Sequence, residues 1–320
     1  MEVFKLKEGT KLNIEQTAED IRCMTVGGPL YIGDIPELER LVSDGNISRL
    51  ILDNFSLSDG SKDEFQQVYN DYRRRMKSFD GCFLLIQKIV LNADRISSFI
   101  IERGMVFSSD QKTLVHIPES EEVVIPPGIE TVGYGCCHYY ENVCRLILCD
   151  TLKEIRDYAF DFIAVTHLSL PDSLTVLGEG AFQYADIEEL RLSSHLKAIP
   201  DECFRCCPLE ELKIPSSVES IGCGAFTGLW FGAALNPEGV KIPEGVKMID
   251  WNSFLNLHRI TLPASLEYIA PDFYYEECID SPENPPYVII HPDNQTYYSK
   301  DGVLYYRKNN KPVLNGHKKR

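Results

Sequence analysis

The chain lacks most of the marks of an enzyme, a nucleic-acid binder or a membrane protein. No apolar run approaches the roughly 20 residues that a spanning helix needs, so no membrane span is expected. The opening stretch MEVFKLKEGTKLNIEQ has no apolar signal core, and as written the chain reads as cytoplasmic. Removal of an export signal would change that reading to the cell surface or the extracellular space. Positive charge is short, with 32 Lys and Arg against 48 Asp and Glu and a formal net charge of −16. That balance excludes nucleic acid, which needs a basic face, and attraction to anionic lipid. It favours solubility and partners that are neutral or basic. The 11 cysteines are odd in number and scattered, unlike the even framework of a small secreted disulfide protein, so reduced thiols are expected. There is no HExxH, no GxSxG and no phosphate loop ending in Lys-Ser/Thr.

What is present is a repeat. The stretch LSLPDSLTVLGEGAF starts at Leu168, and its apolar skeleton recurs at about 22-residue intervals. Apolar residues fall at offsets 1, 3, 7, 10 and 15, as in Leu168, Leu170, Leu174, Leu177 and Phe182. The same frame fits units starting at Val123, Leu146, Leu190, Leu212, Val240 and Ile260, with Cys137 in the Phe slot of the first. A unit this short cannot bury its own apolar face and must stack on its neighbours. Offsets 1 and 3 alternate with polar residues, which is strand spacing. Proline at offset 4 (Pro126, Pro171, Pro215, Pro243, Pro263) ends the strand, because it cannot extend a ladder. Length alone suggests about two domains; the repeat replaces that with one stacked solenoid.

The pattern LxLPxSLxxIGxGAF resembles the BspA-like leucine-rich repeat family of bacterial proteins. GMVFSSDQKTLVHIP (104–118) and DGVLYYRKNNKPVL (301–314) resemble that family's interrupting hairpins. The resemblance implies a curved right-handed coil stack. A parallel β-sheet would line its concave face, with short strands, turns and 3-10 or helical turns on the convex face. Four regions are expected. They are a cap of degenerate repeats over 1–103, a hairpin over 104–118, regular repeats over 119–291, and a hairpin cap with a basic tail over 292–320. Within the first, Phe65, Val68, Tyr69, Tyr72 and Met76 share one helical face, predicting a helix near 63–77.

Candidate chemistry is sparse. CFRC (203–206) followed by Cys207, and the group Cys136, Cys137, Cys144 and Cys149, have the residue types of a zinc site. Cys203, however, fills the small offset 14, and the two groups lie about three coils apart. Buried structural thiols are the expectation, with no metal and no cofactor. His138, His167, His195, His258 and His291 fall in separate units, far from any known nucleophile spacing. Gly178, Gly180, Gly222 and Gly224 read as turn residues. Three sequons, at Asn46, Asn54 and Asn294, read as coincidence. No catalytic residue is expected.

A surface is the better candidate. The outward positions of the first strand carry Arg145, His167, Glu189, Arg191, Glu211, Lys213, Lys241 and Arg259, a charge-mixed and locally basic stripe. One reading is a docking face for an acidic or mixed-charge protein, since solenoids bind through such concavities. The other is a ladder of solvated cross-strand pairs, such as Glu189 with Lys213 or Arg191 with Glu211. Two insertions break the period at one phase of the coil, 228–237 and 277–287. The first carries Trp230 and Phe231, residue types enriched in interface hot spots; covering a gap between coils is the alternative. The expected protein is a monomeric, non-enzymatic scaffold that binds a protein partner. The family resemblance adds the alternative of an exported adhesin for host or matrix proteins. An enzyme of unfamiliar type is the third reading.

Overall fold

A computed structural model describes residues 11–16, 22–30, 49–57, 88–89, 92, 95–102, 104–228, 239–250, 252–254, 259–270 and 287–313. The predicted helix near 63–77 lies outside them. The chain forms two compact units, Met1–Pro118 and Glu119–Arg320, where the repeat alone led to one stack.

In the first unit six strands run side by side in chain order: Lys11–Gln16, Arg22–Leu30, Arg49–Leu57, Phe99–Glu102, Met105–Ser108 and Thr113–His116. Only Arg22–Leu30 and Arg49–Leu57 pair parallel, as neighbouring coils do; the other pairs are antiparallel. The last two strands make a hairpin over 105–116, whose turn is tied by the Lys112 amide donating to the Asp110 carboxylate at 3.1 Å. The core of this unit holds Leu52, Phe99, Ile100, Ile101, Val106, Leu114 and Val115. His116 and Lys88 are also buried. Burial, reinforced by Lys88, pushes the His116 imidazole down to about 3.

The second unit is the leucine-rich-repeat solenoid. The alternation at offsets 1 to 3 becomes a row of short parallel strands in register. Val123 lies beside Leu146, Leu168 beside Leu190, and Val240 beside Ile260 beside Val288. Each offset-4 proline then starts a turn, its carbonyl accepting from the amide three residues on, as in Leu174 to Pro171 at 3.0 Å and Val218 to Pro215 at 3.1 Å. A second row of two-residue strands follows. It stacks Val132, Ile155 and Leu177, and then Ile199, Ile221, Ile249 and Ile269. The Phe slot forms the spine of the core. Phe160, Phe182, Phe204, Phe226 and Phe254 are all fully buried and stack face to face, with centroids 5.4, 5.6, 5.7 and 5.5 Å apart. Such pairs add about 0.5–1.5 kcal/mol each beyond their buried area.

Backbone geometry repeats with the sequence. Gly135, Tyr158, Gly180, Glu202, Gly224 and Asn252 occupy one coil position and all have positive φ. Gly178 and Gly222 differ from the turn-residue reading: their φ is ordinary. A Cβ on Gly178 would meet the Asp157 amide nitrogen at 2.3 Å, and one on Gly222 would meet Asp201 Oδ1 at 2.3 Å. They let adjacent coils touch. The same aspartates fasten that contact, accepting from the Glu179 amide at 2.9 Å and the Cys223 amide at 2.7 Å.

The stack ends on side chains. Tyr297 donates to the Glu267 carbonyl at 3.4 Å and accepts from the Ile269 amide at 3.2 Å, taking the place of a further strand beside Tyr268–Ile269. Buried Asn294 donates to the carbonyls of Pro263, Ala264 and Leu266 at 3.2, 3.1 and 2.8 Å. Its own oxygen accepts from the Thr296 and Tyr297 amides at 2.9 and 2.7 Å. An amide so placed is closed to glycan attachment. Tyr297–Lys300 and Val303–Tyr306 pair through an Asp301-Gly302 turn with φ positive at both residues, the type I′ geometry.

Candidate functional site

The first-strand row presents its charged positions to solvent because its Leu-x-Leu residues point into the core. Along it, Arg145 pairs with Glu122 at 2.9 Å, and His167 Nε2 faces Glu189 at 3.5 Å. Arg191 reaches Asp172 at 2.9 Å and also donates to the Leu170 carbonyl at 3.2 Å. Lys213 turns to Glu211 of its own coil at 2.8 Å. Lys241 is exposed, and Arg259 lies 5.7 Å from the centre of the Tyr287 ring. The cross-coil pairs Glu189–Lys213 and Arg191–Glu211 do not form, since each basic group has a nearer acid. Asp172 sits where the Ser194 amide and hydroxyl also donate to it, at 3.1 and 3.0 Å, and its carboxyl is held below the usual range by those bonds and Arg191.

Five of the predicted surface residues meet in one concavity of about 540 Å³: His167, Glu189, Arg191, Glu211 and Lys213, with Ser169 also lining it. Arg145, Lys241 and Arg259 lie elsewhere on the row. Trp230 and Phe231 lie outside the described residues. The concavity opens where the strand row is interrupted. Glu189–Arg191 pairs with His167–Ser169 on one side, while residues 211–215 form no strand on the other.

Two lining residues were missed from sequence, Glu188 and Glu210. Counting only the positions flanking each Leu-x-Leu left them out, although the doublets in DIEEL and PLEEL fall at the same phase. They add two acids to a part of the stripe where the predicted charges balance. Glu188, Glu189, Glu210 and Glu211 stand against Arg191 and Lys213, so with histidine neutral the groove is net acidic, not locally basic.

Other candidates disperse. Among the described residues no three His, Cys, Asp or Glu side chains converge as a metal set. Cys203 and Cys207 are fully buried, and burial pushes both thiols far above their ordinary range. Cys207 donates to the Phe182 carbonyl at 3.2 Å, as a packed thiol does. His138 Nδ1 lies 2.5 Å from the buried Asp161 carboxylate of the next coil, a tie between coils. On one flank Tyr139, Phe162 and Tyr184 stack at 4.4 and 4.6 Å, each with positive φ.

This arrangement of stacked coils agrees with the family comparison. A model of the BspA type leucine rich repeat region matches six copies over residues 111–229 and 230–294, more than half of the chain. The chain belongs to the BspA-type leucine-rich repeat family. Several solved structures are similar to this BspA-type chain over part of their length. A leucine-rich cell surface protein of Faecalibacterium prausnitzii is 20% identical, with a TM-score of 0.30 over 52% of this chain and 34% of its own. A leucine-rich repeat protein of Bacteroides ovatus is 16% identical, with a TM-score of 0.33 over 52% of this chain and 63% of its own. The pneumococcal vaccine antigen PcpA is 15% identical, with a TM-score of 0.27 over 94% of this chain and 53% of its own. The BspA-type chain thus spans between about a third and two thirds of the length of these proteins. No curated protein matches it.

Proposed function

We propose that the chain is a non-enzymatic docking scaffold, and that a protein partner seats in the groove around Ser169 on the first-strand face. The observation that carries this is the groove itself. It opens where the strand row is interrupted, and charged side chains stand around Leu168 and Leu190 on stacked coils. Solenoids bind through surfaces of this kind because repetition makes them broad and stiff. Docking is rigid-body, since the lining residues stand on strands or beside them. The test is steric and leaves charge alone. Ser169→Trp puts a large side chain in the groove, whereas Val176→Trp puts the same side chain at an exposed position of the second strand row. Captured from native extract, the partner is lost with Ser169→Trp and retained with Val176→Trp. Equal capture by the two variants overturns the groove as the docking site.

A further inference from the structure

The charge pattern of the groove narrows what seats there. Glu188 with Glu189 and Glu210 with Glu211 belong to successive coils, and the Glu210 amide donates to the Glu188 carbonyl at 2.9 Å, which brings the two doublets side by side. Adjacent coils lie about 4.8 Å apart, a spacing at which neighbouring like charges repel. The cations nearby do not relieve Glu188 or Glu210. Lys213 is held by Glu211 at 2.8 Å, and Arg191 by Asp172 at 2.9 Å and by the Leu170 carbonyl. Glu188 and Glu210 are both exposed, and neither forms an ion pair within the described chain. A cation placed between them relieves the repulsion and gains two charge-assisted contacts at once. Glu188 and Glu210 line one groove from successive coils, so a chain that crosses from coil to coil meets both.

We infer that the occupant is an extended segment of a partner protein bearing lysine or arginine side chains, whose cationic groups sit between Glu188 and Glu210. This rests on the docking reading and adds the partner's chemistry to it. It also fits the whole chain, because a net charge of −16 draws basic partners inward from a distance.

The experiment measures fluorescence anisotropy of a labelled octapeptide of alternating glycine and lysine against the full chain at physiological salt. Glu188→Gln with Glu210→Gln weakens binding about tenfold, the product of two exposed charge contacts. Glu141→Gln with Asp150→Asn removes the same charge from two exposed sites elsewhere and leaves affinity within about twofold. Equal weakening by both double variants assigns the binding to net charge alone and overturns the proposal. Spermidine binding that depends on Glu188 and Glu210, with no peptide binding, also overturns it, because the groove is then a polyamine site. If the peptide fails to bind while Ser169→Trp still blocks the native partner, the docking reading stands and the basic segment falls. If Ser169→Trp blocks nothing, the docking reading falls first.

Discussion

Gly178 shows how little of a residue's role its type reveals. Glycine in GEGAF invites a reading as a turn residue, and Gly180 does have a φ of 56°. Gly178 does not need that freedom; it needs the absence of a Cβ, because the Asp157 backbone of the preceding coil occupies the space. Gly178→Ala is therefore expected to destabilise the solenoid by about 1–3 kcal/mol through overpacking, read as a lower urea midpoint. An unchanged midpoint would refute the close contact between coils. His116 makes a second single-residue prediction. Burial lowers its pKa from 6.5 to about 3, so the folded form stays neutral while the unfolded chain takes up a proton. The contribution is complete above pH 6.5 and is lost progressively as pH falls from 6.5 toward 3. His116→Gln should flatten the fall in urea midpoint between pH 7 and 4.5. A variant with the same slope as the parent would rule out His116 as the source.

Elements in this chain are stabilised less by their own length than by what stacks on them. Strands of two residues have no independent stability. They persist because each inward residue, such as Ile199 or Ile221, covers its counterpart in the next coil. Among the described residues Tyr268–Ile269 has no further strand beyond it, and side chains supply what one would. Asn294 makes five hydrogen bonds from a buried position, three as donor and two as acceptor. Asn294→Ala strands several buried backbone groups and should cost about 3 kcal/mol, seen as a lower denaturation midpoint and faster amide exchange over 263–269. Exchange confined to residues beyond 297 would show that the end of the stack does not depend on this side chain. The capping role was hidden in the sequence, where Asn294 reads only as part of a sequon, because it depends on which carbonyls the final turn brings within reach.

For the whole molecule, the period carried the most information. An apolar skeleton repeated every 22 residues has one economical burial, coil upon coil, and the register of Leu168 on Leu190 follows from it. The surface was less legible. Predicting outward positions succeeded, since His167, Glu189, Arg191, Glu211 and Lys213 do line one groove. Predicting their electrostatics failed, because pairing depends on side-chain reach. Arg191 goes to Asp172 and Lys213 to Glu211, not to the acids expected, and the sign of the groove is set by Glu188 and Glu210, which line it as well. The boundary between 118 and 119 coincides with the start of the strict period, whereas the separateness of the first unit did not show in the sequence, because two of its strands still pair parallel as coils would.

By itself the sequence determined the coil, its apolar spine and the face that meets solvent, because these follow from spacing and from the need to bury a short unit's apolar side. Only the tertiary structure decided where the strand row breaks, which acids lose their partners there and how the stack is closed. Those outcomes rest largely on contacts between coils, such as Arg191 with Asp172 and Asn294 with Leu266, and such contacts exist only once the coils have been laid on one another.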